Sequence, residues 1–119
     1  MSARRTPAQA AGGGAEEAAA RFLARQGLEI LERNYRTRFG EIDLVARDGA
    51  TLVFVEVRLR SSARFGGAAA SVDSTKRARI EAAARQFLAR LAREPVCRFD
   101  VVTLEGDNPT WIRAAFECR

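Results

Sequence analysis

Carboxylates placed inside two short apolar segments are where this 119-residue chain could do chemistry. Gly40-Glu41-Ile42-Asp43-Leu44 and Val55-Glu56-Val57-Arg58 both read as strands. Asp and Glu are depleted in strands, and burying a carboxylate is costly unless something binds it. A divalent cation held between the two acids would meet that cost. The chain contains no histidine, which excludes imidazole bases and imidazole ligands. A metal held by oxygen alone favours Mg²⁺ or Mn²⁺ over zinc or copper. Such an ion polarises a phosphodiester and lowers the pKa of a bound water, and Arg58 would reach the phosphate beside it.

Strand periodicity decides whether the acids can meet. Side chains alternate between faces, so Ile42, Leu44 and Ala46 are expected to share one face with Val53, Val55 and Val57 of the next strand. Glu41, Asp43, Glu56 and Arg58 then fall together on the other. Asp48-Gly49 is a hairpin signal. A two-residue loop there pairs Arg47 with Ala50 and leaves Asp43 and Glu56 as diagonal neighbours, roughly 7–8 Å apart. A four-residue loop sets them directly opposite, and an odd-length loop separates them. The alternative is a carboxylate–arginine ladder on an exposed sheet face.

Two helices flank these strands. Ala15 to Gln26 repeats Ala15, Ala18, Ala19, Phe22 and Leu23 at helical spacing, with Gly27 as its stop. Glu16 lies at the margin of that stripe. It could join the metal shell, or be an ordinary first-turn acid favoured by the helix dipole. Ser74 to Arg93 carries Ile80, Ala83, Ala84, Phe87, Leu88 and Leu91 on one face, with Asp73 or Ser74 as cap. Lys76 extends that face towards the sheet, where a helix N-terminus would favour phosphate; equally, the stripe could end in solvent. Leu28–Tyr35, Phe99–Leu104 and Thr110–Phe116 read as further strands, and residues 59–72 as a loop. The expected architecture is α/β (α+β), order α-β-β-β-α-β-β, with a mixed sheet of about five strands flanked by helices. The strands on either side of the second helix are expected to run parallel. Residues 1–14 read as a flexible tail and 15–119 as a single domain.

Composition narrows the partners. Twenty Lys and Arg against 15 Asp and Glu give a net charge of +5, and Lys76 is the sole lysine. Arginine suits bidentate phosphate contact, and Arg58, Arg60, Arg64, Lys76, Arg77 and Arg79 gather around the loop and the second helix's start. They would follow a nucleic-acid backbone without reading bases; a generally arginine-rich, solvated surface is the other reading. No apolar run approaches the ~18 residues of a membrane span, and Arg4-Arg5 is not followed by the apolar run of a secretory signal. The expected location is the cytoplasm, with no membrane partner. Cys97 and Cys118 have no zinc-site spacing and are too few for a disulfide framework. They read as structural thiols.

Gly40-Glu41-Ile42-Asp43-Leu44, Val53-Phe54-Val55-Glu56-Val57-Arg58, Phe65-Gly66, Lys76, Arg98-Phe99-Asp100-Val101-Val102 and Ala115-Phe116 together resemble the YraN family of bacterial proteins. Glu16, Ala19, Leu23, Gly27 and Asn34 fall in the same pattern, and the likeness covers about residues 14–117. The resemblance implies a restriction-endonuclease-like fold, similar to archaeal Holliday-junction resolvases, with the PD-(D/E)XK nuclease motif. It makes Asp43 the first metal carboxylate, Glu56 the acid of the E-x-K element and Glu16 the helix acid. Glu41 is a further candidate metal ligand. By analogy with resolvases it also implies a homodimer acting on branched DNA. The chain departs from the motif at Arg58, which stands in the lysine position, and at Ile42, which stands in the proline position. Arginine supplies charge but does not deprotonate water, its pKa exceeding ~12. Three functions follow as expectations: a Mg²⁺/Mn²⁺-dependent endonuclease, a nucleic-acid-binding module of the same fold that does not cut, and a structural or adaptor protein with a polar sheet face.

Overall fold

A computed structural model of the chain describes residues 7–59 and 73–116, with side chains from residue 14. The elements run α1 (Pro7–Arg25), β1 (Glu29–Thr37), β2 (Gly40–Asp48), β3 (Thr51–Leu59), α2 (Ser74–Leu88), β4 (Cys97–Glu105) and β5 (Asn108–Phe116). The expected order of elements is the observed one. The five strands form one sheet in the order β1-β2-β3-β4-β5. Only β3 and β4 pair in parallel, bridged by α2; the other pairs are antiparallel.

Apolar burial occurs on both sides of this sheet. On one side α2 lays Ile80, Ala83, Ala84 and Phe87 over Val45, Leu52, Phe54, Phe99 and Phe116. Phe99 stacks between Phe54 and Phe116, with ring centroids 5.3 and 4.8 Å away. On the other side α1 lays Ala19, Ala20 and Leu23 over Leu44, Ala46, Val53, Val55 and Val102. The run Leu52-Val53-Phe54-Val55 is apolar without alternation because a helix covers each face. A single core face with a polar reverse, as strand alternation suggested, is therefore replaced by two.

Alternation also breaks at one point of β2. Leu44 packs on the α1 side, yet Ile42 joins the α2 side together with Val45. Opposite the intervening Asp43 lies Asn34, since Arg33 pairs with Leu44 and Tyr35 with Ile42. Asn34 has φ +52°, a left-handed conformation that Asn tolerates better than most residues.

Several boundaries move. Helix α1 opens at Pro7, within the segment read as a tail. Proline is at home in a helix's first turn, and the triple glycine hid the helix by offering no apolar period. Helix α2 ends at Leu88 with Ala89 as its cap, five residues before Arg93. Leu91 is partly exposed rather than part of the stripe. The β2–β3 turn is Gly49-Ala50, with Asp48 paired to Thr51, one residue later than the Asp48-Gly49 loop expected. Gly49 takes the positive φ this turn needs. Cys97 is disulfide-bonded, not a lone structural thiol. A single bridge needs only two cysteines, and spacing alone does not show whether two will meet. The other cysteine, Cys118, lies outside the described residues.

Two local devices fix the sheet against its surroundings. Asp100 is fully buried, and its carboxylate accepts hydrogen bonds from Arg98 Nε at 3.0 and 3.2 Å, Trp111 Nε1 at 2.8 Å and the Ala114 N–H at 2.9 Å. Arg98 also reaches Asp48 at 3.1 Å. This network ties β4 to β5 and to the end of β2. At Gly40 the start of β2 presses against α2: a Cβ there would lie 2.3 Å from the Arg79 carbonyl oxygen.

Asp100→Ala is expected to destabilise the chain by about 3–5 kcal/mol, because it strands a part-buried guanidinium and an indole N–H. Urea unfolding measures it. Gly40→Ala should cost about 1–3 kcal/mol by overpacking backbone against backbone, and a wild-type unfolding midpoint in that variant would refute the close approach.

Candidate functional site

The β2–β3 register sums to the arrangement in which Asp43 and Glu56 face each other. The ladder runs Asp48↔Thr51, Arg47↔Leu52, Ala46↔Val53, Val45↔Phe54 and Leu44↔Val55. The next step would set Asp43 against Glu56, but the recorded pairs end at Leu44 and Val55. Beyond that pair β2 stays with β1 through Ile42, Glu41 and Gly40, while β3 stays with β4 from Glu56 to Leu59. The Val57 N–H donates to the Asp43 side chain, Oδ2 at 2.8 Å. A carboxylate thus satisfies a strand donor at the point where the ladder stops.

A cavity of about 350 Å³ lies at this point, lined by Ala15, Glu16, Asp43, Glu56, Val57, Arg58, Leu59 and Lys76. Glu56 is 4% exposed. Its Oε2 has the Lys76 ammonium at 2.7 Å and Arg58 Nε at 3.5 Å. Asp43 and Glu56 lie within hydrogen-bonding reach of one another, and the Asp43 carboxyl is pushed up to about 7. Burial is the largest cause and the Glu56 carboxyl the next, against the opposing Val57 N–H and Lys76 charge. Two acids this close hold a proton between them unless a cation replaces it. Glu16 is raised as well, first by burial and then by Asp43, against a hydrogen bond from the Asn34 side chain.

The comparisons with known proteins agree with one another. Residues 15–104 match the family described as uncharacterised protein family UPF0102. A UPF0102 protein of Cupriavidus taiwanensis is 59% identical over 111 residues, covering 92% of this chain and 84% of that protein. One from Methylibium petroleiphilum is 53% identical over 116 residues, 92% and 95% of the two chains. One from Janthinobacterium sp. is 49% identical over 113 residues, 95% and 92%. The chain belongs to the UPF0102 family.

In this UPF0102 chain the candidate residues separate into groups. Asp43, Glu56, Glu16, Arg58 and Lys76 line one cavity. Glu41 lies outside it, exposed and ion-paired with Arg36 at 3.2 Å. Arg77 stacks over the Phe116 ring at 5.0 Å, and Arg79 lines a neighbouring groove with Lys76. Arg60 and Arg64 lie outside the described residues. Among the described residues no three Asp, Glu, Cys or His side chains converge as a ready metal cage; the close pair is Asp43 with Glu56. Among the described residues no helix is long and apolar enough to cross a membrane. Asn34 was legible only as part of a family pattern. Its part here, a left-handed strand residue bonded to Glu16, had a faint local signal in an asparagine placed within a strand.

The Asp43 shift has a consequence for stability. A carboxyl with an ordinary value of 3.8 in the unfolded chain and about 7 in the fold binds its proton more tightly when folded. Its stabilisation is present in full below pH ~4 and is lost as pH rises through ~7. In EDTA, Asp43→Asn, which keeps a neutral acceptor for Val57, should exceed the wild type in stability at pH 8. The gain should be a few kcal/mol at most and vanish near pH 4. Urea midpoints across that range measure the difference; a pH-independent one would refute the shared-proton pair.

Proposed function

We propose that this chain binds nucleic acid and acts as a divalent-metal-dependent, structure-specific endonuclease-like protein on branched DNA, with a restriction-endonuclease-like fold. The observation that carries the reading is the pairing of part-buried Asp43 with buried Glu56 at the end of the β2–β3 ladder, facing Lys76 and Arg58. The donor set fits Mg²⁺ or Mn²⁺: two carboxyls within hydrogen-bonding reach, oxygen donors only, and a cavity beside them. Magnesium commonly takes one or two carboxylates and leaves the rest of its octahedron to water and phosphate. Asp43 and Glu56 would hold the ion, with Glu16 at the cavity wall adding negative charge. When bound, the ion supplies charge stabilisation at a phosphodiester.

The protein's own groups account for the remaining roles. Lys76 enters from the first turn of α2, and its ammonium offsets the Glu56 charge while remaining partly exposed to an incoming phosphate. Arg58 presents a second cation from β3, 31% exposed, suited to charge developing on phosphate oxygens. The Val57 N–H fixes one Asp43 oxygen.

Purified protein with Mn²⁺ and a four-way DNA junction is expected to yield discrete cleavage products, and Asp43→Ala to reduce them to background. Products that survive Asp43→Ala would refute the catalytic assignment. Arg58 favours a second reading, a binding module that does not cut, because arginine cannot take a proton from water. Under it the wild type binds junctions and leaves them intact. Arg58→Lys would then confer cleavage, since a positioned general base contributes about 10²–10⁴-fold.

A further inference from the structure

A second and wider cavity, about 800 Å³, lies between the tip of the β1–β2 hairpin and the first turns of α2. Its cations are Arg36, Arg38, Lys76 and Arg79. Its two carboxylates are already engaged: Glu41 pairs with Arg36, and Asp73 caps α2 by accepting from the Lys76 N–H at 2.8 Å. Arg36 and Lys76 are themselves paired, with Glu41 and Glu56, but four cations against two carboxylates still leave the lining net positive. Lys76 borders both this groove and the carboxylate cavity, so the two adjoin at one side chain.

Phe39 stands at the hairpin tip, 51% exposed. The turn beneath it is held firmly. The Thr37 hydroxyl accepts from the Phe39 N–H at 3.0 Å and the Gly40 N–H at 3.1 Å, and donates to the Gly40 carbonyl at 3.0 Å. Gly40 is itself pressed against Arg79, so the hairpin cannot shift towards α2. Arg38 lies 5.4 Å over the Phe39 ring. An aromatic ring on a fixed turn, flanked by arginines, has the two parts of a single-strand platform: a stacking face and a backbone-tracking charge. A continuous duplex has no free base face to offer it.

We propose that this groove carries the strand next to the phosphate at the carboxylate cavity, and that Phe39 stacks on an unpaired base there. The chain thereby selects DNA with unstacked bases, as at a branch point or bulge, over continuous duplex. This inference rests on the nucleic-acid reading above and adds the feature of the substrate that is recognised.

Fluorescence anisotropy in EDTA, with the full chain and a labelled duplex with or without a bulge of unpaired nucleotides, tests it by binding alone. The wild type should prefer the bulged duplex by about tenfold, the scale of one base–aromatic stack. Phe39→Ala should bring the preference close to one while leaving continuous-duplex affinity within about twofold. Phe39→Trp should keep the preference, and Arg38→Ala should weaken both complexes. Equal binding of the two DNAs by wild type, no binding of either, or an undiminished preference in Phe39→Ala would each overturn the inference. A chain that selects bulged DNA through Phe39 but never cuts removes the nuclease reading alone. One that cuts junctions equally well as Phe39→Ala removes this inference alone.

Discussion

The hydrogen bond from the Val57 N–H to Asp43 is the constraint around which the site is built. A strand donor normally finds a carbonyl on its neighbour. Here it finds a side chain, and the recorded β2–β3 ladder goes no further than Leu44 and Val55. Beyond that pair each strand keeps only its outer partner. The left-handed Asn34 and the change of face between Ile42 and Leu44 fall at the same level. They are the backbone's accommodation to a carboxylate lying where a peptide group would otherwise pair.

That arrangement is unfavourable in isolation. It brings a part-buried acid against a buried one, and the cost appears as an Asp43 carboxyl pushed up to about 7. The surrounding fold holds the arrangement in place. Aromatic stacking under α2 and the small-residue contact with α1 clamp the sheet from both sides. The Asp100 network anchors β4 to β5 and, through Arg98, to the last residue of β2. Both helices then deliver charged side chains to the same cavity, Glu16 from α1 and Lys76 from α2.

Much of this was legible in the residues. Acids within apolar strands marked Asp43 and Glu56, and the even spacing of the hairpin brought them together, although the turn is centred one residue later than Asp48-Gly49 suggested. Helical periodicity located the buried stripes of α1 and α2. Strand alternation failed where its premise failed: it assumes a regular backbone with one wet face, and β2 has neither. Glu41, grouped with Asp43 by two-residue spacing, pairs with Arg36 outside the cavity yet lies near enough to Glu16 for its charge to act there. The Asp100 network and the Gly40–Arg79 approach depend on segments distant in sequence and had no local signature. The bonding of Cys97 is likewise set by the fold, which cysteine spacing does not encode.

Lys76 has a place in both cavities, and this makes them thermodynamic partners. Under the proposed function, an anion that drew its ammonium into the wider groove would leave Glu56 with less compensating charge and strengthen the pull of the carboxyl pair on a dication. By reciprocity, a dication at the pair would free Lys76 for the anion by the same factor. One flexible four-carbon arm would then let cargo and ion each report the other's arrival.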